Sequence, residues 1–264
     1  MGITFGVLGP VTAWADGEPV ALGGPRHRAV LARLLVARRR VVPAATIVAD
    51  LWEEPPDGAL AAVRTFVAAL RRALEPERAP RSPARLLVTD GPGYALRADD
   101  DSVDAWRFEG AVRRAAGQRA DEAARTLEDA LAWWRGPAFA DVSAEPWARA
   151  ERARLTELQL TAVEQLAEAR LGSGAAASAL ADLDAHVTDH PWREEGWRLL
   201  ALALYRAGRQ ADSLEVLRRA RSVLRDQLGL DPGPALRRLE ADVLAQAAHL
   251  QGGPPGRGPH GKRR

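Results

Sequence analysis

No cysteine occurs in the 264 residues. Disulfide frameworks, thiol nucleophiles and cysteine-ligated zinc are therefore outside this chain's chemistry, as fits a reducing compartment. Lysine is almost missing as well. Lys262 is the only one, so arginine carries the positive charge. Arginine offers a planar fork of donors where lysine offers a point charge. No apolar run approaches the roughly 20 residues needed to span a bilayer, so no membrane partner is expected. The opening stretch "MGITFGVLGPVTAW" has no basic start and no cleavage pattern, which predicts no secretory signal and a cytoplasmic location. No Gly-x-x-x-x-Gly-Lys-Ser/Thr phosphate loop is present, and the carboxylates are scattered rather than paired. No catalytic residue, cofactor or enzymatic activity is expected.

What is present is an apolar content of 47% and a net charge of only +2, unevenly spread. Residues 1–98 hold 13 arginines against 9 acids, residues 99–250 hold 20 against 26, and the last fourteen hold four basic groups and no acid. A modestly basic front half suits a polyanionic partner. An Ala-, Arg-, Gly- and Pro-rich composition also follows from a GC-rich genome, so the placement of the arginines carries the argument rather than their number.

The front predicts strands at 3–9, 11–15 and 19–22, then a helix opened by Pro25 and lined by Ala29, Val30, Leu31, Leu34 and Leu35. A second helix follows Pro43, with Ile47, Leu51 and Trp52 inward. Asp57 is positioned to cap a third, "ALAAVRTFVAALRRAL", over 59–74. Leu60, Val63, Val67, Leu70 and Leu74 form its apolar stripe, and Arg64, Thr65, Ala68, Arg71 and Arg72 its other face. Two short strands around Gly91-Pro92-Gly93 complete a hairpin. Strands, three helices and a hairpin are the order of a winged helix-turn-helix, whose last helix enters the major groove. A helix greasy on one side and basic on the other fits a phosphate-walled groove. Arg64 and Arg71 are placed for base edges, Thr65 and Ala68 for thymine methyls, and Arg72 for phosphate. Arg26, Arg28, Arg39, Arg40 and Arg85 are further phosphate candidates.

Beyond residue 104 the pattern is helical and repeats every 34 residues. Leu166, Ala167, Gly174, Ala179 and Leu183 map to Leu200, Ala201, Gly208, Ser213 and Leu217, the large, small and turning positions of a tetratricopeptide repeat. His186 and His190 have zinc-ligand spacing on a helix but no third ligand in sequence reach. Gly172-Ser173-Gly174 lacks the strand that a nucleophile elbow needs, so it is expected to be a turn between paired helices. Trp133, Trp134, Trp147, Trp192 and Trp197 are expected in the core. The fold class expected is thus an α+β winged helix-turn-helix domain over 1–98, an all-α tetratricopeptide-like domain over 99–250, and a disordered basic tail over 251–264.

The chain resembles the Streptomyces antibiotic regulatory proteins, small transcriptional activators in which a response-regulator-type winged helix precedes a bacterial transcriptional activator domain. The pieces that carry the resemblance are "VDAWRFE", "ALAWWRGPAFADV" and the dense run from His190 to Leu244; in front, "LGGPRHRAVLARLLV", "FVAALRRAL" and "GPGYAL" fit the first helix, recognition helix and wing. The resemblance covers residues 3–249. It implies sequence-specific binding to direct repeats in promoter DNA, recruitment of RNA polymerase, control of an antibiotic or other secondary-metabolite cluster, a homodimer on DNA and association with the nucleoid. It implies no catalysis. Ala68 and Ala69 stand where this family often has Ser-Arg, and Asp90 puts an acid at the wing. A different function follows if the repeats bind a peptide and the winged helix binds protein. The chain is then an adaptor without salt-dependent DNA binding.

Overall fold

The computed structural model describes residues 2–79 and 81–251. They form two compact units. Among the described residues one unit lies within 2–113 and 129–160, the other within 114–128 and 161–251.

In the first unit, β1 (Ile3–Gly6), β2 (Thr12–Ala15) and β3 (Glu18–Pro19) make an antiparallel sheet in that order, with Phe5 opposite Ala13. The strand expected over 3–9 stops at Gly6, because the backbone beyond it is used elsewhere. The carbonyls of Leu8, Val7 and Gly9 accept from the main-chain N–H groups of Arg135, Phe139 and Ala140, at 2.7, 2.8 and 3.1 Å. The N–H groups of Val7 and Leu8 donate to the Asp104 carboxylate at 2.8 and 3.2 Å, and that of Val11 donates to Asp141 at 2.5 Å. Burial pushes the Asp104 carboxyl above its usual range, against the pull of the two N–H groups and Arg135. Phe139 is 1% exposed and sits at a φ of +54°, a conformation that a bulky side chain adopts only when its surroundings enforce it.

Helix α1 (Pro25–Val36) starts on proline, whose missing N–H would have had no partner there, and buries Ala29 to Ala32, Leu34 and Leu35. The turn that follows it carries Arg38 and Arg39, both at positive φ. Arg38 pairs with Glu109 and, at 3.1 Å, with Glu151. Arg154 pairs with the same two carboxylates. These cations hold both carboxyls below their usual range although burial pushes the other way.

A two-residue strand β4 (Val42–Pro43) leads into α2 (Ala44–Leu51), then α3 (Ala59–Leu74). Two local expectations change here. Gly58, at φ +82°, caps α3 without any side-chain bond, so Asp57 is not the cap. The buried stripe is Ala59, Val63, Val67, Leu70 and Leu74, whereas Leu60 is 42% exposed. Ala59 occupies the helical phase assigned to Leu60. The hairpin β5 (Leu87–Asp90) and β6 (Gly93–Leu96) joins β4 in the order β4-β6-β5. A Cβ on Gly93 would lie 2.1 Å from the Val42 carbonyl oxygen. Gly93→Ala is therefore expected to lower stability by about 1–3 kcal/mol, measured as a shift of the thermal unfolding midpoint. An unchanged midpoint would mean that β4 is not held against the hairpin.

The remaining helices are α4 (Asp104–Ala115), α5 (Ala120–Leu131), α6 (Pro146–Gly172), α7 (Leu180–Asp189), α8 (Glu194–Arg206), α9 (Gln210–Leu228) and α10 (Pro234–Leu244). The 34-residue pairing holds in three dimensions within the second unit. Leu166 and Leu200, Ala167 and Ala201, Ala179 and Ser213, and Leu183 and Leu217 are all buried. Gly174 and Gly208 take φ of +83° and +77° at the paired turns. The fully buried Ser213 hydroxyl donates to the Ala201 carbonyl at 2.7 Å, which seats α9 on α8. Gly172-Ser173-Gly174 is a helix-ending turn, with the Ser173 hydroxyl on Arg170 O.

Among the expected core tryptophans only Trp197 is buried, at 1% exposed; Trp192 is 62% exposed, and Trp133, Trp134 and Trp147 are half-buried. Trp192 lies in the turn before α8, where helical periodicity does not apply, and its indole N–H donates to Gln227. His186 is not a metal ligand candidate. Its Nε2 lies 3.1 Å from Glu164, which also takes two bonds from Arg193 at 2.8 Å. Among the described residues no cluster able to hold a metal occurs, and no helix is long and apolar enough to cross a membrane. The tail expectation falls outside the described residues except at Gln251, which closes a short turn from Ala248.

Candidate nucleic-acid interface

The outward face of α3 is built by subtraction. Burial of Val63, Val67, Leu70 and Leu74 against the rest of the first unit leaves Ala61, Arg64, Thr65, Ala68 and Arg72 exposed at three- and four-residue steps along one side. Arg64 and Arg72 make no ion pair or hydrogen bond within the described residues. The Thr65 hydroxyl donates to the carbonyl of Ala61 at 3.0 Å, so its donor is engaged inside the helix. The face thus offers two guanidinium forks among small residues. Such a surface lets a helix approach base edges closely.

Arg71 is placed differently. Its Nε donates to the Leu87 carbonyl and its Nη2 to the Thr89 hydroxyl, both at 2.7 Å, and its guanidinium lies 5.8 Å from the centre of the Tyr94 ring. Burial pushes its pKa down from the usual arginine value.

The outlying arginines divide likewise. Arg26 is exposed and stacks over Trp52 at 4.8 Å; Trp52 in turn stacks on Phe66 of α3. Arg28 is tied to Asp141 and to the Gly23 carbonyl, both at 2.9 Å. Arg39 is tied to Ala98 O and Asp100 and lies over Trp106. Arg40 is exposed and bonds only Ala37 O among the described residues. The Arg85 side chain is exposed, while its main-chain N–H donates to Glu75. The structure therefore brings Arg64, Thr65, Ala68 and Arg72 together on one open face and draws Arg28, Arg39 and Arg71 into internal contacts.

Two features of this surface have no counterpart among the expected residues. Ala61 extends the open face by one turn, and the corrected helical phase is the signal that finds it. Arg97 pairs with Asp90 at 2.9 Å, which neutralises the acid at the hairpin tip. That pairing depends on the hairpin's twist, which the sequence does not state.

The chain matches two family profiles: "Transcriptional regulatory protein, C terminal" over residues 17–96 and "Bacterial transcriptional activator domain" over residues 103–244. It is 40% identical over 253 residues to the transcriptional regulatory protein EmbR of Mycobacterium tuberculosis, covering 92% of this chain and 64% of EmbR. It is 36% identical over 248 residues to the transcriptional regulator RedD of Streptomyces coelicolor, covering 92% of this chain and 71% of RedD. A solved structure of Mycobacterium tuberculosis EmbR, in complex with a low-affinity phosphopeptide, superposes with a TM-score of 0.85 at 38% identity, over 92% of this chain and 65% of that one. The chain thus spans somewhat under two thirds of EmbR.

Proposed function

The chain belongs to the Streptomyces antibiotic regulatory protein family of transcriptional regulators, and from that membership we propose that it is a sequence-specific activator acting through α3 in the major groove. The observation that carries the reading is the open face of α3, where Arg64 and Arg72 are unpaired among the described residues while the opposite stripe is buried. Arg64, Thr65 and Ala68 meet base edges, and Arg72 meets phosphate. Arg26, Arg40 and Arg85 add phosphate contacts at the periphery. Arg28, held by Asp141, makes no phosphate contact, and the pair carries no net charge.

The target is promoter DNA with direct repeats about one helical turn, 10–11 base pairs, apart, so that two copies read one face of the duplex. The helical region, residues 99–250, meets the second copy and RNA polymerase, and the genes controlled are a secondary-metabolite cluster. The protein works in the cytoplasm, on the nucleoid. It binds and recruits; it does not catalyse.

The test is genome-wide mapping of bound DNA followed by gel shifts on the highest-ranked site. Arg64→Ala is expected to cost about 1–3 kcal/mol there and to relax the preference at one base pair. Arg72→Ala is expected to weaken all sequences alike and to flatten the salt dependence by about one phosphate. If both variants bind as the unaltered chain does, α3 does not enter the groove.

A further inference from the structure

Arg71 is on the recognition helix, but it faces the hairpin. It donates to Leu87 O and to Thr89 Oγ1 at 2.7 Å each, and its guanidinium lies over Tyr94. Thr89 and Tyr94 are register partners across the hairpin, so one side chain on α3 touches both strands at a single rung. The turn end of the hairpin is anchored separately, by β4 opposite Tyr94 and Gly93 and by the Ala44 N–H on Pro92 O at 3.1 Å. Those ties hold the turn of the hairpin to β4 and the start of α2. Arg71 adds side-chain bonds from α3 to β5. A base-reading arginine presents two N–H groups in parallel to one base edge. In Arg71 the Nε and Nη2 each donate to a protein acceptor, which turns that edge of its fork towards the hairpin.

Resting on the DNA-reading proposal above, we propose that Arg71 is a positioning residue: a strut that sets the wing's height and angle relative to α3, so that helix and wing grip the duplex together. Arg71 reads no base and neutralises no phosphate. Its guanidinium plane suits the task because it reaches a carbonyl, a hydroxyl and a ring face at once, which an ammonium cannot.

The experiment uses the full chain, the highest-ranked genomic site on a duplex, and the variants Arg71→Ala, Arg71→Lys, Thr89→Val and Arg71→Ala/Thr89→Val. Binding is measured across a salt series, with hydroxyl-radical footprints and, without DNA, hydrogen exchange at the β5–β6 amides. Arg71→Ala and Arg71→Lys are both expected to weaken binding roughly tenfold with the salt slope unchanged, the size of a lost charge-assisted pair. Protection should vanish at the flank covered by the wing and persist where α3 lies. Exchange in β5–β6 should rise without DNA. Thr89→Val should give a smaller loss of the same kind, and the double variant should be no weaker than Arg71→Ala alone. Full rescue by lysine identifies a phosphate contact and overturns the proposal. So does a relaxed preference at one base pair, or a footprint that fades uniformly as the fold weakens. If the unaltered chain protects no site, the DNA-reading proposal falls, and the strut with it. If it protects a site and Arg71→Ala leaves both footprint and exchange unchanged, only the strut falls.

Discussion

Residues 1–98 expressed alone are expected to show no cooperative unfolding transition and no site-specific DNA binding. The fragment contains all of both sheets and α1 to α3, and on sequence grounds it looks self-sufficient. The turn between β1 and β2 decides otherwise. It receives three main-chain hydrogen bonds from residues 135–140 and gives three to Asp104 and Asp141. Val7, Leu8 and Val11, at 2% exposed or less in the whole chain, lose their cover in the fragment. Each buried backbone group left without a partner costs about 1–3 kcal/mol, and re-exposed apolar side chains add to that. Water restores part of the hydrogen bonding, but a domain's whole margin is only about 5–15 kcal/mol. Arg38 and Arg28 also lose their carboxylate partners. Circular dichroism and thermal melts of the fragment beside the full chain make the comparison. A sharp transition near that of the full chain would show that residues 104–160 are dispensable for this fold.

The second large effect is expected at Glu164. It is 7% exposed and accepts from Arg193 and His186 inside the second unit. Burial pushes its carboxyl up, but the bonds from Arg193 and His186 outweigh this and hold the pKa at about 2. Glu164→Ala removes the carboxylate that accepts from Arg193 and His186, and removing one member of a buried ionic group costs about 3–5 kcal/mol. The pH dependence has a definite sign. The folded pKa is depressed below the ordinary glutamate value of 4.5, so the stabilisation is fully present above about pH 4.5 and is lost as pH falls towards 2. The gap corresponds to about 3 kcal/mol. Glu164→Gln should abolish that part of the acid dependence. Chemical unfolding of the unaltered and Glu164→Gln chains at pH 7, 4 and 3 tests this. Parallel losses in both would place the acid sensitivity elsewhere.

Local periodicity carried much of the fold. A stripe every three or four residues places α3, and a 34-residue echo places Gly174 and Gly208 at matching turns, because both signals lie in one stretch of chain. The phase of α3 was misread by one residue, since Ala59 and Leu60 are both apolar and only packing distinguishes them. The candidate interface was legible as a face but not as a set of free side chains. Arg28 and Arg71 have the same chemistry as Arg64. What separates them is a carboxylate 113 residues away for Arg28 and a strand 16 residues away for Arg71. Glu164 gave no signal at all, because an acid in a charged helical sequence looks solvated until its neighbours are known.

The bond from Val11 to Asp141 joins residues 130 apart. During synthesis the β1–β2 turn therefore leaves the ribosome long before its cover exists. At about 5–20 residues per second the wait is roughly 7–26 seconds. Throughout it, Val7, Leu8 and Val11 present apolar side chains beside unpaired main-chain groups, a combination that invites other strands. The half of the chain made first is completed only after the helical half has begun to emerge. A ribosome that stalls before residue 141 leaves an unfinished edge rather than a shortened but working DNA-binding domain.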